Sequence, residues 1–347
     1  MPRKVKTRTD KDYYEVLQVD RRAQPEVIKA AYRALMKQYH HDVNPGHTIY
    51  TIQLNQAHEI LMDLAKRKEY DLQLGTQSLD GAIVGEYRIM DEIASGAIGD
   101  TYLAEHLLIG EKVCVKHCAN ISAVAEEILF NEARAVWDLR HFALPNMRNV
   151  LKLDDGTIAL VMSYIEGPTL FELVEEHGRL EAEHVAWIMG RHLNALQYLH
   201  YHGVIHGDIK PQNSIIQPEI HMAVIVDFGL SQIKPTENTR SIGYTELFAP
   251  PEEISGRPLL PQSDFYSLGM TMLFALTGDV DAVKRLQVPS DVPDPLCNFI
   301  KRLIVRDILS RPDWQKEDLC DTFAKVRKQA FGRKNSGMKP ITYTKKR

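Results

Sequence analysis

Apolar residues in the first 75 positions recur at every third or fourth residue, in two stretches separated by a polar loop. This spacing places them on one face of a helix in each stretch. Asn44, Pro45 and Gly46 in the loop each favour a turn. The pattern therefore predicts two helices that pack their apolar faces together as a hairpin. The apolar positions are Ile28, Ala31, Tyr32, Leu35 and Tyr39, followed by Leu54, Ala57, Leu61 and Leu64.

Beyond residue 86 the pattern changes to short apolar runs, which are typical of strands. They predict strands over 87–93, 101–105, 112–117, 150–153 and 158–164, with one helix over 126–139. Helical spacing dominates later, and predicts helices over 170–176, 182–201, 263–277 and 295–305. An all-α unit followed by a β-rich block and then a helical block indicates the α+β class.

Composition and charge divide the chain of 347 residues into four segments. Residues 11–75 are the helical unit, 76–85 are small and polar like a linker, and 86–330 are the mixed unit. The formal net charge is +3 for 1–75, −13 for 76–330 and +6 for 331–347. Because residues 331–347 are basic and lack periodicity, we expect a disordered tail. We expect this tail to act as a solubilising end, and nucleic acid is not among the expected partners.

The N-terminal residues, the apolar runs and the cysteines indicate the compartment in which the chain is expected. The first twelve residues are charged and contain no apolar core, so they do not resemble a secretory signal. The longest apolar runs are too short to span a bilayer, and we expect no membrane partner. The four cysteines form no metal-binding pattern, which favours free thiols in a reducing compartment. We therefore expect a cytoplasmic protein.

Two short motifs in the mixed unit carry candidate chemistry. One is His206-Gly207-Asp208, which continues to Lys210 and Asn213, and the other is Asp227-Phe228-Gly229. Together they supply two carboxylates, an amine and an amide. These groups suit phosphoryl transfer, in which one carboxylate accepts a hydroxyl proton while the other and the amide hold Mg²⁺.

With these motifs and Val113-Cys114-Val115-Lys116, residues 86–330 resemble eukaryotic-type protein kinases. The resemblance implies a bilobal fold with a β-rich small lobe and a helical large lobe, and it implies ATP and Mg²⁺ as cofactors. Asp208 would then accept the substrate hydroxyl proton and Lys210 would neutralise the γ-phosphoryl charge. Asn213 and Asp227 would bind the metal. Lys116 would hold the phosphates and pair with Glu132.

The same resemblance assigns further nucleotide-binding positions. The segment from Ala94 to Thr101 corresponds to a glycine-rich loop, with Gly96 and Gly99 as its glycines. It departs from the family because Ala94 replaces the first glycine and Thr101 replaces a valine. Met162 and Tyr164 lie in the segment that would receive adenine, with Met162 guarding the rear pocket.

Four residues receive structural or specificity roles by the same resemblance. Glu252 and Arg311 would form a buried ion pair, and Asp264 would anchor the backbone of the catalytic loop. Lys210 together with Thr245 matches the branch that phosphorylates serine or threonine, so the implied substrate is a protein with such a hydroxyl. Gly207 stands where many members have an arginine that clamps a phosphate on the activation loop, so no such clamp is expected.

Residues 11–75 resemble a J-domain, the module that stimulates ATP hydrolysis by chaperones of the DnaK type. The matching blocks include Asp12 to Leu17 and Lys66 to Asp71. A basic stripe formed by Lys29, Arg33 and Lys37 would meet an acidic chaperone surface. The loop motif of the family is His-Pro-Asp, whereas this chain has His40, His41 and Asp42. Loss of the proline frees the backbone, so we expect docking to survive better than stimulation.

Three functions are compatible with these residues. The favoured one is an ATP-dependent serine/threonine protein kinase that docks a chaperone through its J-domain. The alternative is a catalytically weak kinase-fold scaffold that acts as a J-domain co-chaperone, which the departures at Ala94, Thr101 and Gly207 would suit. Phosphorylation of a small molecule is the third, because a fold does not determine a substrate.

Overall fold

The computed structural model describes residues 13–19, 23–39, 48–63, 66–67, 70, 81–95, 99–118, 123–153, 156–241, 243–332, 341 and 343. The chain divides into two compact units. One contains residues 1–133 and 147–164, and the other contains 134–146 and 165–347. Among the described residues, no helix combines the length and the apolar character needed to cross a bilayer.

The N-terminal part is helical, as the periodicity predicts. It contains α1 (Tyr13–Val16), α2 (Pro25–Tyr39) and α3 (Thr48–Met62). Ile28 of α2 and Leu54 and Leu61 of α3 are buried in one shared core, so the two apolar faces do pack together. Leu64 and the loop of Asn44, Pro45 and Gly46 lie outside the described residues.

A six-stranded antiparallel sheet follows. Its strands are β1 (Ile83–Val84), β2 (Tyr87–Ser95), β3 (Asp100–His106), β4 (Lys112–Cys118), β5 (Met147–Lys152) and β6 (Ile158–Ser163). Their order is β1-β2-β3-β4-β6-β5, and α4 (Ala123–Val136) connects β4 to β5. Strand β1 lies inside the segment that we predicted as linker, because Ile83 and Val84 pair with β2. Helix α4 ends before the predicted residue 139, since the Leu139 N–H already closes a turn on Val136.

The two faces of this sheet differ in character. Tyr102 and Ala104 of β3 and Val113 and Val115 of β4 are buried in an apolar core with Val161 of β6. Side chains alternate between the faces of a strand. Lys116, next to Val115, therefore lies on the opposite face, which is the face that carries the candidate chemistry.

The second unit is mainly helical. Its helices are α5 (Leu170–His177), α6 (Ala182–Tyr201), α7 (Pro251–Ile254), α8 (Pro261–Thr277), α9 (Val280–Lys284), α10 (Asp294–Leu303) and α11 (Leu319–Phe331). Two small antiparallel sheets join β7 (Val204–Ile205) to β10 (Gln232–Ile233) and β8 (Ser214–Gln217) to β9 (Met222–Ile225). Helix α8 is buried from Ser263 to Leu276, and it forms the centre of this unit.

Only a few residues of the predicted disordered tail, 331–347, lie in the described part of the chain. Phe331 is the last residue of α11, and Ile341 is only 7% exposed, so neither behaves as a solvated tail residue. Isoleucine is stabilised when its side chain leaves water, which accounts for burial at this one apolar position. Residues 333–340, 342 and 344–347 lie outside the described part of the chain.

Candidate active site

Strand β4 and helix α4 bring one buried ion pair together. The Lys116 ammonium lies 2.7 Å from the Glu132 carboxylate, and the two residues are 7% and 2% exposed. The pairing predicted from the sequence is thus confirmed. A buried lysine needs such a partner because an unpaired charge is strongly disfavoured away from water. The carboxylate therefore fixes the ammonium in one position.

The register of the sheet aligns other predicted nucleotide-binding positions with Lys116. Ala94 of β2 faces Thr101 of β3, and Thr101 faces Lys116 of β4. Directly opposed residues of antiparallel strands share a face. Gly99 lies next to these aligned residues. A Cβ atom at position 99 would lie 2.3 Å from the His117 carbonyl oxygen, so only glycine fits. Gly96 lies outside the described residues.

Met162 and Tyr164 lie at the end of β6. Met162 is buried, pairs with Cys114 of β4, and therefore shares a strand face with Leu160, the residue opposite Lys116. Tyr164 is half-buried and follows the last strand residue, Ser163. The structure thus brings Met162 onto the Lys116 face, as its predicted position at the rear of the nucleotide pocket would require.

In the second unit, Asp208 is the centre of a hydrogen-bonded cluster. Its Oδ2 accepts from the Lys210 ammonium at 2.5 Å and from the Asn213 amide at 3.0 Å. Its Oδ1 accepts from the Thr245 hydroxyl at 2.8 Å, and Lys210 also donates to that hydroxyl at 3.1 Å. Three residues, the farthest of them 37 positions away along the chain, thus contact the Asp208 carboxylate.

Asn213 and Asp227 carry oxygen atoms suited to a magnesium ion. The Asn213 amide nitrogen donates to the Asp208 carbonyl and carboxylate, so its Oδ1 is the atom left to bind a cation. Asp227 follows β9 with φ of +66°, in the left-handed region, which aspartate adopts more readily than most side chains. Carboxylate and amide oxygens are the hard ligands that Mg²⁺ prefers, so these residues fit the ion.

Asp264 of α8 holds the backbone that leads to Asp208. Its two carboxylate oxygens accept from the His206 and Gly207 N–H groups, each at 2.9 Å. The predicted anchoring contact is therefore confirmed. Burial alone would raise the pKa of Asp264. The hydrogen bonds from His200 and the Gly207 N–H instead lower this pKa overall.

Two residues that the sequence did not reveal support Asp264. His200 of α6 donates from Nε2 to the Asp264 carboxylate at 2.7 Å, and its Nδ1 accepts from the Trp314 indole N–H at 2.8 Å. Because Nδ1 accepts and Nε2 donates, the ring is held as one neutral tautomer. No local spacing marks His200 or Trp314, which lie 114 positions apart.

Gly207 is required by its conformation. Its φ is +75°, and a Cβ atom there would lie 2.8 Å from the backbone oxygen of Leu230. A side chain at this position is therefore both strained and obstructed by backbone. The glycine is a feature of this loop conformation, and an arginine could not simply be inserted.

We expect Gly207→Ala to destabilise the second unit by about 1–3 kcal/mol, and to reduce any activity that depends on Asp208. Gly256→Ala is the matched control, since Gly256 has φ of +68° but no atom within 4 Å of the position that a Cβ would occupy. Gly256→Ala therefore measures the cost of a positive φ alone, without a steric contact. Urea unfolding of both variants measures the difference, and equal losses would show that the Leu230 contact is unimportant.

Glu252 and Arg311 form the predicted buried bridge. Two guanidinium nitrogens of Arg311 donate to the two Glu252 oxygens at 2.7 and 2.8 Å, and both side chains are almost fully buried. Arg311 also donates to three backbone carbonyls, those of Val305, Gln262 and Arg306. These bonds tie α7 to the segment after α10.

The basic stripe on α2 is exposed along its length. Lys29, Arg33 and Lys37 are all solvent-exposed on one face of this helix. Their field reaches α3, where burial lowers the pKa of His58 and the charges of Lys29 and Arg33 lower it further. His40, His41 and Asp42 lie outside the described residues.

Comparison with known families agrees with this geometry. A family model of the protein kinase domain matches residues 87–317, which is about two-thirds of the chain. The chain therefore belongs to the protein kinase family. A model of the DnaJ domain matches residues 12–71, so a J-domain precedes the kinase domain. The fold class and the order of the two modules predicted from the sequence are both confirmed.

Proposed function

We propose that this chain is an ATP-dependent protein kinase that phosphorylates serine or threonine. The observation that carries the proposal is the cluster at Asp208, where Lys210, Asn213 and Thr245 all contact one carboxylate. Such a group can accept a proton from a hydroxyl while an adjacent ammonium neutralises phosphate charge. Positioning and charge stabilisation supply most of the catalysis in phosphoryl transfer.

Each residue in the cluster has a separate task in this proposal. Asp208 orients the acceptor hydroxyl and takes its proton, and Thr245 holds the other carboxylate oxygen in place. Lys210 is positioned by Asp208 and Thr245 to meet the γ-phosphoryl group. Asn213 and Asp227 would hold Mg²⁺, which supplies positive charge to the phosphate oxygens when it is bound.

The first unit supplies the nucleotide-binding residues in this proposal. Lys116, fixed by Glu132, would bind the α- and β-phosphates. Ala94, Gly96, Gly99 and Thr101 would cover them, and the segment of Met162 and Tyr164 would receive adenine, with Met162 guarding the rear pocket. Ala94 stands where the family has a glycine, and its small methyl group leaves the backbone nearly as accessible to a phosphate as a glycine would.

The direct test is transfer of labelled γ-phosphate to a mixed protein substrate, followed by hydrolysis and separation of the phosphoamino acids. Label on phosphoserine or phosphothreonine supports the proposal, and label on phosphotyrosine alone contradicts the assigned specificity. Equal incorporation by wild type and Asp208→Asn would instead favour the scaffold function, in which the kinase fold binds without catalysing transfer.

We also propose that the J-domain docks an acidic surface on a chaperone of the DnaK type. The supporting observation is the exposed stripe of Lys29, Arg33 and Lys37, whose electrostatic effect extends to His58. Complementary charge increases the rate of encounter between partners and fixes their orientation. A reducing cytoplasm, as proposed from the cysteines, would give access to such chaperones.

Charge reversal tests this docking. In full-length protein with Asp208→Asn, which removes kinase turnover of ATP, we expect Lys29, Arg33 and Lys37 changed to Glu to bind the chaperone at least about tenfold more weakly. The control reverses Lys301, Lys316 and Lys325, so that net charge is matched. Binding and chaperone ATPase rate are both measured, and equal effects of the two triple variants would contradict the proposal.

A further inference from the structure

A second carboxyl group, outside the catalytic cluster, contacts the segment that leads to Thr245. Glu253 of α7 is only 3% exposed. Its Oε1 lies 2.5 Å from the Ser241 hydroxyl oxygen, and the same hydroxyl lies 2.9 Å from the Gly243 carbonyl oxygen. Ser241 thus contacts two oxygen acceptors at once.

Hydrogen counting shows how both contacts can be satisfied. A serine hydroxyl has one hydrogen and can donate it to one acceptor only. If Glu253 is ionised, the carboxylate and the Gly243 carbonyl compete for that hydrogen. If Glu253 is protonated, it donates to Ser241, and Ser241 donates to Gly243. The geometry is therefore fully satisfied only with a proton on the carboxyl group.

The surroundings of Glu253 also favour the neutral acid. Burial raises its pKa to about 8, although the bond with Ser241 acts in the other direction. The charges of Asp208 in the catalytic loop, Asp264 of α8 and neighbouring Glu252 also raise the pKa and contribute to this value. Tyr244 interacts electrostatically with Glu253, and the Glu252 carboxylate is ion-paired with Arg311. Glu253 is thus the neutral member of an acidic cluster.

This contact lies two residues before Thr245. Gly243, which accepts from Ser241, is followed by Tyr244 and then by Thr245, whose hydroxyl donates to Asp208. A change in the Ser241 bond therefore acts on the short segment that delivers Thr245 to the catalytic carboxylate.

We propose that protonated Glu253 is a positioning residue for phosphoryl transfer, which holds Thr245 against Asp208 through Ser241 and Gly243. This inference rests on the proposed kinase function. When Glu253 ionises, the carboxylate retains Ser241 as its donor and the Gly243 carbonyl loses that bond. The segment carrying Thr245 then loosens, and transfer slows.

Two pH windows follow from the raised pKa. The proton on Glu253 is present in the folded protein and lost from the unfolded chain above about pH 4.5, so its stabilising effect declines as pH rises to about 8. Occupancy of the active, protonated form falls later, from about nine-tenths at pH 7 to about one-tenth at pH 9. The free energy of unfolding and the transfer rate should therefore change over different pH ranges.

The test compares wild type with Glu253→Gln, which is neutral at every pH and can still donate to Ser241. Glu219→Gln, at an exposed position, is the matched control. We expect the transfer rate of wild type, divided by that of Glu253→Gln, to fall severalfold between pH 7 and pH 9, because the ionised form transfers phosphate more slowly. The melting-temperature advantage of Glu253→Gln should grow from pH 5.5 to 8 and then level off.

Ser241→Ala provides a variant that leaves the acid in place. We expect its kcat to fall severalfold at pH 7 while the KM for ATP is unchanged, because the nucleotide residues are untouched. Parallel pH profiles of transfer for wild type and Glu253→Gln would overturn the positioning role. Absence of transfer by every protein at every pH would instead overturn the proposed kinase function itself.

Discussion

Asp208→Asn should reduce phosphoryl transfer by about 10²- to 10⁴-fold, the range by which a positioned general base accelerates a reaction. Asparagine keeps the size of the side chain but cannot accept the proton of a substrate hydroxyl at neutral pH. It also removes the charge that holds Lys210 at 2.5 Å. The measurement is the initial rate of labelled phosphate transfer at saturating ATP.

The expected loss must be separated from a loss of folding or binding. Asp138→Asn is the control, since Asp138 is exposed and lies in the same compact unit. We expect it to leave the rate unchanged. Nucleotide affinity of Asp208→Asn should stay close to that of wild type, because Lys116 and Glu132 are intact. A rate within about threefold of wild type would show that Asp208 is not the base.

Arg311→Ala should destabilise the second unit by about 3–5 kcal/mol, because it leaves the Glu252 carboxylate buried without its partner. Such a loss is a large part of the stability of a typical domain. Glu252 also accepts from Ser263, so its surroundings cannot easily open to water. All three tryptophans, Trp137, Trp187 and Trp314, lie in this unit, so their fluorescence in urea follows its unfolding specifically.

An exposed pair of the same chemistry provides the control. Arg179 binds Asp291 through two nitrogens, but their side chains are 49% and 63% exposed. Such surface pairs contribute little to stability, because water screens them, so Arg179→Ala should change the free energy of unfolding little. If the two alanine variants lost similar stability, burial would not be what makes the Arg311 bridge important.

The sequence predicted those parts of the site that short motifs specify. Asp208 and Asp227 were identified from tripeptides, and the resemblance to protein kinases assigned Lys116 its helix partner Glu132. These predictions concern residues that belong to short motifs with a fixed spacing. The register of β2, β3 and β4, which aligns Ala94 and Thr101 with Lys116, was not readable from the sequence.

The sequence did not predict contacts that tertiary packing alone creates. His200, Trp314 and Glu253 belong to helices or turns with ordinary local patterns, and their hydrogen-bond partners belong to other segments, from 12 to 114 positions away. Strand β1 was predicted as linker and the end of α4 was placed too late, because strand pairing and a closing turn, respectively, overrode local composition. These contacts depend on long-range hydrogen bonds, which the local periodicity of the sequence does not reveal.

Calorimetric titration with Mg-ATP tests most directly whether these residues form a nucleotide-using site. We expect wild type to bind at submillimolar concentration and Lys116→Met to bind at least about tenfold more weakly, since the buried ammonium is lost. Both proteins should show the same secondary structure by circular dichroism. Absence of any binding heat from wild type at millimolar Mg-ATP would contradict the proposed kinase function.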